Sequence, residues 1–222
     1  MMPVKEVDIL RTIALFSCLD DTALDALSRV AIKKTFPGHT ILLSEGDKTD
    51  SLYVICSGKV KVEIGDEHGK EVILTMLGPG EYFGEMAFLD GKPRSASVVT
   101  REPTEVLIIF RNDFRDILIS NPDAVLNLLR GLLARLREAN EKIESLALMD
   151  VYGRVARLFV QLGKPKGQKL VIEEKLTHQE IANMIGSSRE MVSRILKDLV
   201  TGGYVTVQKK VITINRELPH SW

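Results

Sequence analysis

One segment combines residues that can bind a phosphate with one that can bind a sugar hydroxyl. Arg94 can offer a planar fork of N–H donors to a phosphate, and Ser95 adds a hydroxyl and a backbone N–H. Glu85 only accepts hydrogen bonds when ionised, which suits a sugar hydroxyl. Gly84 permits a sharp turn, and residues 85–89 can form one helical turn whose free N–H groups attract an anion. This combination indicates a nucleotide site; the alternative is a structural ion pair between Arg94 and Glu85.

A second segment, residues 177–203, predicts two helices joined by a turn at Gly186. At 100° per residue, one arc of the second helix is polar and carries Arg189, Glu190, Ser193, Arg194 and Lys197. The opposite arc is apolar and carries Met191, Val192, Ile195, Leu196 and Leu199. One arc can pack on a domain while the other enters a DNA major groove. The alternative is that the charged arc is an ordinary solvated surface.

Capping signals mark the ends of both helices in this segment. Thr177-x-x-Glu180 and Ser187-x-x-Glu190 fit the capping box at a helix start. Gly202-Gly203 then fits a helix end, because glycine tolerates left-handed geometry. We therefore predict a helix-turn-helix, and the hairpin YVTVQKKVITI that follows it is predicted to be a wing.

The exposed half of the second helix has side chains suited to base edges. Arginine pairs with guanine O6 and N7, and glutamate accepts from cytosine N4, so Arg189, Glu190 and Arg194 are predicted to contact bases. Contacts to phosphates orient a protein without specifying sequence. The remaining predicted DNA contacts are His178, Gln179, Ser188, Lys197 and, on the wing, Lys209 and Lys210.

Gly84, Glu85, Arg94 and Ser95, called the cradle below, lie within a series of short β-rich runs. These runs are TILLS, SLYVICSG, KVKVEI, KEVILTML, SASVV and EVLIIF, separated by Gly/Pro/Asp turns. Such spacing predicts an antiparallel barrel or jelly roll. Short helices are predicted at residues 7–33 and 111–120. Residues 163–169 are predicted to be a loop, followed by the short strand LVIEE.

A long helix is predicted over residues 123–149, with an apolar seam at spacings of three and four. The seam consists of Leu129, Leu132, Leu136, Ala139, Ile143 and Leu146. Because charged residues flank this narrow stripe, we expect a symmetric dimer seam, and packing of the helix on its own domain is the alternative.

These elements predict an α+β protein of 222 residues in three parts. Residues 1–122 form an N-terminal antiparallel β-roll (jelly roll), 123–149 a dimerisation helix, and 150–222 a winged helix-turn-helix. Residues 151–222 carry 12 Lys+Arg and 6 Asp+Glu, leaving 18 and 24 of the 30 of each kind for the rest. A basic module that can meet phosphates is thus joined to an acidic one.

Several classes of protein are disfavoured by the sequence. Cys18 and Cys56 are too few for an iron–sulfur cluster and are expected to be free thiols. The same cysteine count disfavours haem sensing, and the scattered histidines predict no metal site. No nucleophile, P-loop or zinc-protease motif indicates an enzyme. The N-terminus lacks a signal peptide pattern and no apolar run spans a membrane, so a cytoplasmic location with no membrane partner is expected.

The motifs together resemble the catabolite activator (cyclic-AMP receptor protein, CRP/FNR) family of bacterial transcription regulators. FGEMAFLDGKPRSASVV resembles the family's phosphate-binding cassette, LALMDVYGRVARLF its hinge, and SSREMVSRIL its recognition helix. The resemblance covers nearly the whole chain in the same order.

This resemblance implies a homodimer that binds cAMP, a palindromic DNA site similar to TGTGA, and RNA polymerase. Gly84, Glu85, Arg94 and Ser95 would hold the ribose phosphate, with Glu85 on the 2′-hydroxyl. The same cassette contains Met86 and Ala87. Arg189, Glu190 and Arg194 would read the half-site.

The chain departs from the family pattern at two places, and these departures leave alternatives for the effector. Where cAMP-responsive members have a threonine and a serine that contact adenine, this chain has Ala139 and Asn140. Ala139 cannot form that hydrogen bond, whereas the amide of Asn140 offers a substitute. His178 replaces a common arginine. The alternatives are a regulator of the same fold with another trigger (cyclic di-GMP, another effector or none) and a nucleotide-sensing regulatory subunit of a partner protein.

Overall fold

The computed structural model describes residues 6–67, 69–167 and 169–218. His68 and His220, two of the four scattered histidines, and the first five residues of the chain therefore lie outside the described residues. The chain forms two compact units that divide between Leu136 and Arg137, within one long helix.

The first unit contains the predicted series of short strands between helices. In chain order its elements are α1 (Glu6–Thr12), a 3₁₀ turn (Ala14–Phe16), α2 (Asp21–Val30), β1 (Ile32–Phe36), β2 (Ile41–Leu43), β3 (Ser51–Ser57), β4 (Val60–Gly65), β5 (Glu71–Leu77), β6 (Tyr82–Phe83), α3 (Glu85–Asp90), β7 (Ser97–Thr100), β8 (Thr104–Phe110), α4 (Arg111–Ser120) and the start of α5 (Pro122–Leu148).

Two antiparallel sheets of four strands form the β-roll. Their strand orders are β1-β8-β3-β6 and β2-β7-β4-β5. On β3, Ile55 packs in the core that the two sheets share, whereas the adjacent Val54 packs in a second core under the helices. Val106 and Leu107 on β8 divide in the same way. Because side chains alternate between the faces of a strand, one central strand supplies both cores.

The second core fixes the helices on the outer face of the first sheet. Phe114 of α4 is fully buried and meets Phe16 edge to face at 5.5 Å between ring centroids. Ala124 and Leu128 of α5 are buried in the same cluster. This packing positions the first turns of α5 against the β-roll that carries the cradle.

The long helix α5 starts at Pro122, a residue favoured in the first turn because its missing N–H would have no helical partner. Along its predicted seam, Leu129, Leu136, Ile143 and Leu146 are exposed, whereas Leu132 packs partly on the second core. Further exposed leucines on this helix are Leu126 and Leu133. The stripe is therefore apolar and open, and Leu132 is the member that its own domain covers in part.

The second unit contains the remainder of α5, α6 (Val151–Leu162), β9 (Lys164–Lys166), β10 (Lys169–Ile172), α7 (His178–Ile185), α8 (Arg189–Thr201), β11 (Val205–Gln208) and β12 (Val211–Ile214). Its sheet has the order β11-β12-β10-β9, with every pair antiparallel. Asp150 caps α6 by accepting from the Gly153 N–H at 2.7 Å. The β11–β12 hairpin follows the two helices, which confirms the winged helix-turn-helix.

Three strands differ from the sequence-based prediction. Residues 163–169 were predicted to be a loop, but Lys164–Lys166 pairs with β10 across a turn at Gly167, whose φ is 65°. Exposed lysines on an edge strand lack the apolar alternation that marks a strand, which explains the error. β1 is also largely exposed, and β6 has only two residues, so neither carries a clear pattern.

No single helix among the described residues has the length and apolar composition needed to cross a membrane; only α4 and α5 taken together, bent by 114°, have them.

Candidate ligand cradle and DNA-reading surface

A left-handed glycine opens the short helix of the cradle. Gly84 has φ 85° and precedes α3, which confirms the predicted helical turn after it. A Cβ on Gly84 would lie 2.6 Å from Nη1 of Arg94 and 2.8 Å from the carbonyl oxygen of Ser51. Only glycine satisfies both the backbone angle and this close approach.

Arg94 is a buried cation held by neutral acceptors. Its side chain donates through Nε to Thr49 Oγ1 at 2.7 Å, through Nη1 to the Gly84 carbonyl at 2.8 Å, and through Nη2 to the Ser51 carbonyl at 2.8 Å. The residue is only 3% exposed, and burial lowers the pKa of Arg94 from its usual value, against the raising effect of nearby Tyr53 and carboxylates. The guanidinium therefore stands at the base of the cradle with its positive charge unmatched by a contacting carboxylate.

Glu85 is also buried, at 6% exposure, and its partner is on α5. Arg135 Nη1 lies 2.6 Å from Glu85 Oε1. The alternative interpretation, an ion pair between Arg94 and Glu85, is not what these two described side chains form. Because a carboxylate has about four lone-pair sites, Glu85 keeps capacity to accept from a ligand hydroxyl.

Besides pairing with Glu85, Arg135 contacts both the ring and the backbone of Tyr82. The guanidinium carbon of Arg135 lies 4.6 Å from the centroid of the Tyr82 ring, and its Nη2 donates to the Tyr82 carbonyl. Tyr82 is itself buried, and burial raises its pKa above the usual value of 10.0. Sequence reasoning placed Arg135 only among the charges that flank the seam and did not single out Tyr82, because neither lies in the cassette motif.

The remaining cassette residues line the rim and the floor. Ser95 is exposed, and its hydroxyl lies 3.3 Å from the sulfur of Met86, which is 53% exposed. Ala87 is buried at 3% exposure. Ala139 and Asn140 are exposed on α5, in the second compact unit.

The two-helix unit has the predicted start and turn. Thr177 forms a complete capping box with Glu180, and Gly186 ends α7 with φ 64°. The predicted Ser187–Glu190 box is wrong by one residue, because Ser188 is the cap of α8 and accepts from the Met191 N–H at 3.2 Å. The Ser187 N–H instead donates to the Ala182 carbonyl at 3.0 Å, which assigns Ser187 to the turn that closes α7.

The predicted polar face of α8 is exposed and open. Arg189, Glu190, Ser193, Arg194 and Lys197 line one shallow groove and are all exposed. Within the part of the chain that the structure describes, their side chains make no hydrogen bond or ion pair. The opposite face is buried except for Met191, which is 36% exposed at its edge, so the prediction holds for four of the five apolar residues, Val192, Ile195, Leu196 and Leu199.

Five of the residues predicted to contact DNA line a second groove of about 790 Å³ between the helices and the wing. These are His178, Gln179, Arg189, Lys197 and Lys210. Ser188 lies at the start of α8, where its hydroxyl is used as the cap. The lining combines the cationic side chains Arg189, Lys197 and Lys210 with apolar side chains of the helices and the wing.

The wing tip has an uncommon backbone. Lys209 and Lys210 connect β11 to β12 with φ 50° and 67°, and both are exposed. Two-residue hairpin turns with positive φ at both positions favour Asn-Gly, so two lysines here carry strain. The wing tip therefore carries two adjacent positive charges, and the positive φ angles of Lys209 and Lys210 lower its stability.

In the described ranges, no group of three or more His, Cys, Asp or Glu side chains is placed to hold a metal ion. Cys18 is exposed and Cys56 half-buried, and these two described cysteines form no disulfide.

Two family models match this chain. Residues 33–121 match the family model of the cyclic nucleotide-binding domain, and residues 153–218 match that of the Crp-like helix-turn-helix domain. The first match contains Gly84, Glu85, Arg94 and Ser95, and the second contains the whole two-helix unit and its wing.

Individual relatives cover nearly the full length of the chain. A CRP-like cAMP-activated global transcriptional regulator of Mycobacterium tuberculosis is 35% identical over 213 residues, covering 94% of this chain and 95% of the relative. The cAMP-activated global transcriptional regulator CRP of Salmonella typhimurium is 37% identical over 196 residues, covering 85% and 91%. Among solved structures, the c-di-GMP responsive global regulator CLP of Xanthomonas campestris has a TM-score of 0.77 at 26% identity, covering 88% of this chain and 99% of that one.

These relatives are regulators of transcription rather than enzymes, and their shared architecture is the one built here from the β-roll, α5 and the winged helix-turn-helix. The chain therefore belongs to the CRP/FNR family of transcription regulators, with a cyclic nucleotide-binding domain followed by a DNA-binding helix-turn-helix.

Proposed function

We propose that this chain is a homodimeric regulator that binds cAMP in its β-roll and a palindromic, TGTGA-like DNA site through α8. It acts on DNA in the cytoplasm, together with RNA polymerase. The observation that carries the ligand assignment is the presence of two buried charges of opposite sign, Arg94 and Glu85, that do not pair with each other.

Buried charges are rare unless they are paired or serve a ligand. The hydrogen bonds of Arg94 go to neutral acceptors only, so no contacting carboxylate compensates its positive charge. An anion bound beside it is therefore attracted to that charge, and the attraction is strengthened because the site is partly shielded from water. Binding exchanges the Ser51 or Gly84 acceptor for a phosphate oxygen, and exposed Ser95 adds a hydroxyl at the rim. Glu85 then accepts from the 2′-hydroxyl of the ribose.

Dimerisation is supported by the exposed apolar stripe of α5. Leu129, Leu136 and Ile143 are 49%, 56% and 63% exposed and repeat at intervals of seven residues. A second copy of the helix, packed in parallel about a twofold axis, covers such a stripe. Two copies present two α8 helices to successive major grooves about 34 Å apart, which is why the proposed site is a palindrome.

In each half-site, Arg189, Glu190 and Arg194 contact base edges, since their side chains are exposed and lack protein partners among the described residues. Each good bidentate pair contributes roughly 1–3 kcal/mol of discrimination against the wrong base. His178, Gln179, Ser188, Lys197 and Lys209 contact the phosphate backbone.

The test is fluorescence anisotropy of a labelled TGTGA-N6-TCACA duplex titrated with the protein at fixed salt, with and without saturating cAMP. Tighter binding only with cAMP supports both the DNA site and the trigger. An Arg94→Ala variant is expected to lose the cAMP response while keeping its ligand-free DNA affinity. Full cAMP dependence in that variant contradicts the proposed cradle.

A different effector is the second candidate, and Ala139 favours it. An alanine at this position of α5 offers no hydrogen bond to a base, whereas Asn140 both donates and accepts. Cyclic di-GMP is the first compound to compare, because a solved neighbour is described as responsive to it. Equal DNA binding with and without cAMP, together with tighter DNA binding in the presence of cyclic di-GMP or cGMP, would identify that nucleotide as the effector.

A further inference from the structure

Arg135 of α5 makes three contacts beside the cradle, one of them with an aromatic ring. Arg135 lies over the ring of Tyr82, donates to its carbonyl and pairs with Glu85. The arginine side chain is 31% exposed, and these three contacts hold its guanidinium. The Tyr82 ring is therefore one of the three groups that orient the guanidinium over Glu85.

A glycine on α5 determines where that ring can lie. A Cβ added to Gly131 would overlap the hydroxyl oxygen of Tyr82, while the next atom, Cζ, would be at an ordinary 3.5 Å. Gly131 lies in the interior of a helix, where glycine costs about 0.5–1 kcal/mol relative to alanine. The helix thus loses stability to accommodate one oxygen atom.

We infer that Tyr82 and Gly131 form a positioning pair: the ring, seated against the glycine, holds Arg135 on Glu85 so that the carboxylate presents its free oxygen to a ligand hydroxyl. Tyr82 acts through Arg135. The inference rests on the proposed function, because the hydroxyl is that of the bound nucleotide.

The consequence is a specific one for ligand chemistry. If Arg135 is displaced, Glu85 rotates away from the hydroxyl, while the phosphate contacts of Arg94 and Ser95 are unchanged. Displacement therefore weakens the binding of a ribonucleotide more than that of its 2′-deoxy analogue. A Tyr82 that served only as core packing would weaken the binding of both by the same factor.

The experiment measures the Kd of the full-length protein for cAMP and for 2′-deoxy-cAMP by calorimetry. The wild type is expected to prefer cAMP about tenfold or more, as a hydroxyl bound to a buried carboxylate implies. Gly131→Ala pushes the Tyr82 hydroxyl and the ring away, so the ratio of the two Kd values falls towards one. Tyr82→Leu keeps an apolar side chain but loses the aromatic face, and the ratio is expected to fall in this variant too.

The decisive variant is the double substitution Gly131→Ala with Tyr82→Phe. Phenylalanine lacks the oxygen that overlaps the new methyl group, so the ring returns to its place over Arg135 and the ratio returns to the wild-type value. Tyr82→Phe alone keeps the wild-type ratio. Thermal unfolding verifies that each variant is folded, and the double variant keeps the test intact if Gly131→Ala alone does not fold.

Two results would contradict the positioning pair while leaving the proposed function intact. One is a Gly131→Ala variant that keeps the wild-type ratio of Kd values, and the other is a double variant in which that ratio stays near one. A wild type that binds both nucleotides equally removes the hydroxyl contact of Glu85 and the inference with it. A wild type that binds neither contradicts the proposed function itself, which is a distinct outcome.

Discussion

Replacing Gly84 by alanine tests whether the cradle depends on space as well as on backbone angle. The chain offers a matched control, because Gly80 has the same φ of 85° but no atom within 4 Å of its ideal Cβ. Both substitutions place an alanine in the left-handed region, which costs about 1–2 kcal/mol. Because alanine leaves the unfolded chain fewer conformations than glycine, each substitution also stabilises the folded state by roughly 0.4–1 kcal/mol.

Only Gly84→Ala adds a clash. The new Cβ would lie 2.8 Å from the Ser51 carbonyl, which is part of β3 and cannot move cheaply, and 2.6 Å from Arg94 Nη1. Moving Arg94 breaks its hydrogen bond to the Gly84 carbonyl, and a bond from a charged donor contributes about 1.5–3 kcal/mol. We therefore expect a loss of about 1 kcal/mol for Gly80→Ala and about 3–4 kcal/mol for Gly84→Ala.

The assay is hydrogen exchange of the buried amides of β3 and β8, which exchange only when this unit unfolds. The same preparations are titrated with cAMP, and we expect Gly84→Ala to weaken binding while Gly80→Ala leaves it unchanged. Equal losses of stability in the two variants, or normal cAMP binding by Gly84→Ala, would show that the close approach of Arg94 does not matter.

Four further changes have defined outcomes. Replacing Lys209-Lys210 by Asn-Gly should stabilise the wing by about 1–2 kcal/mol while reducing DNA affinity and the slope of its salt dependence, measured by thermal unfolding and by anisotropy at several salt concentrations. Because burial raises the pKa of Tyr82 above 10.0, the unfolded state loses this proton first, so stability should decline as pH rises above about 10, and Tyr82→Phe should remove part of that decline in alkaline unfolding curves. Thr177→Ala should destabilise the second unit by about 1 kcal/mol, because it removes the cap that accepts from the Glu180 N–H, and a chemical denaturation midpoint unchanged from wild type would contradict this. Leu136→Glu should raise the dimer dissociation constant at least tenfold with little effect on the fold, as sedimentation equilibrium can measure.

The order of elements could be predicted because its signals are local. Glycines at turns, the β-rich runs that form β3 and β8, and the Thr177 cap each depend on residues close in sequence, and the structure confirms all of them. Elements without such a signal were missed: β9 is a short edge strand of exposed lysines, and β6 has two residues. Their existence depends on pairing with a strand elsewhere in the chain.

The polar face of α8 followed from the sequence, since a helix repeats every 3.6 residues and Arg189, Glu190 and Arg194 fall on one arc. The one-residue error at its cap arose because Ser187 and Ser188 are chemically equivalent candidates. Only the turn that closes α7 uses the Ser187 N–H and leaves Ser188 to cap α8.

The sequence by itself predicted four residues of the cradle, because Gly84, Glu85, Arg94 and Ser95 lie within twelve residues of one another. The tertiary structure alone decided their partners. Glu85 pairs with Arg135, fifty residues away on α5, and Arg94 with Thr49 and Ser51, which precede it by more than forty. Contacts across such separations depend on how the sheets close and how α5 packs on them, and no local pattern of residue types encodes that geometry.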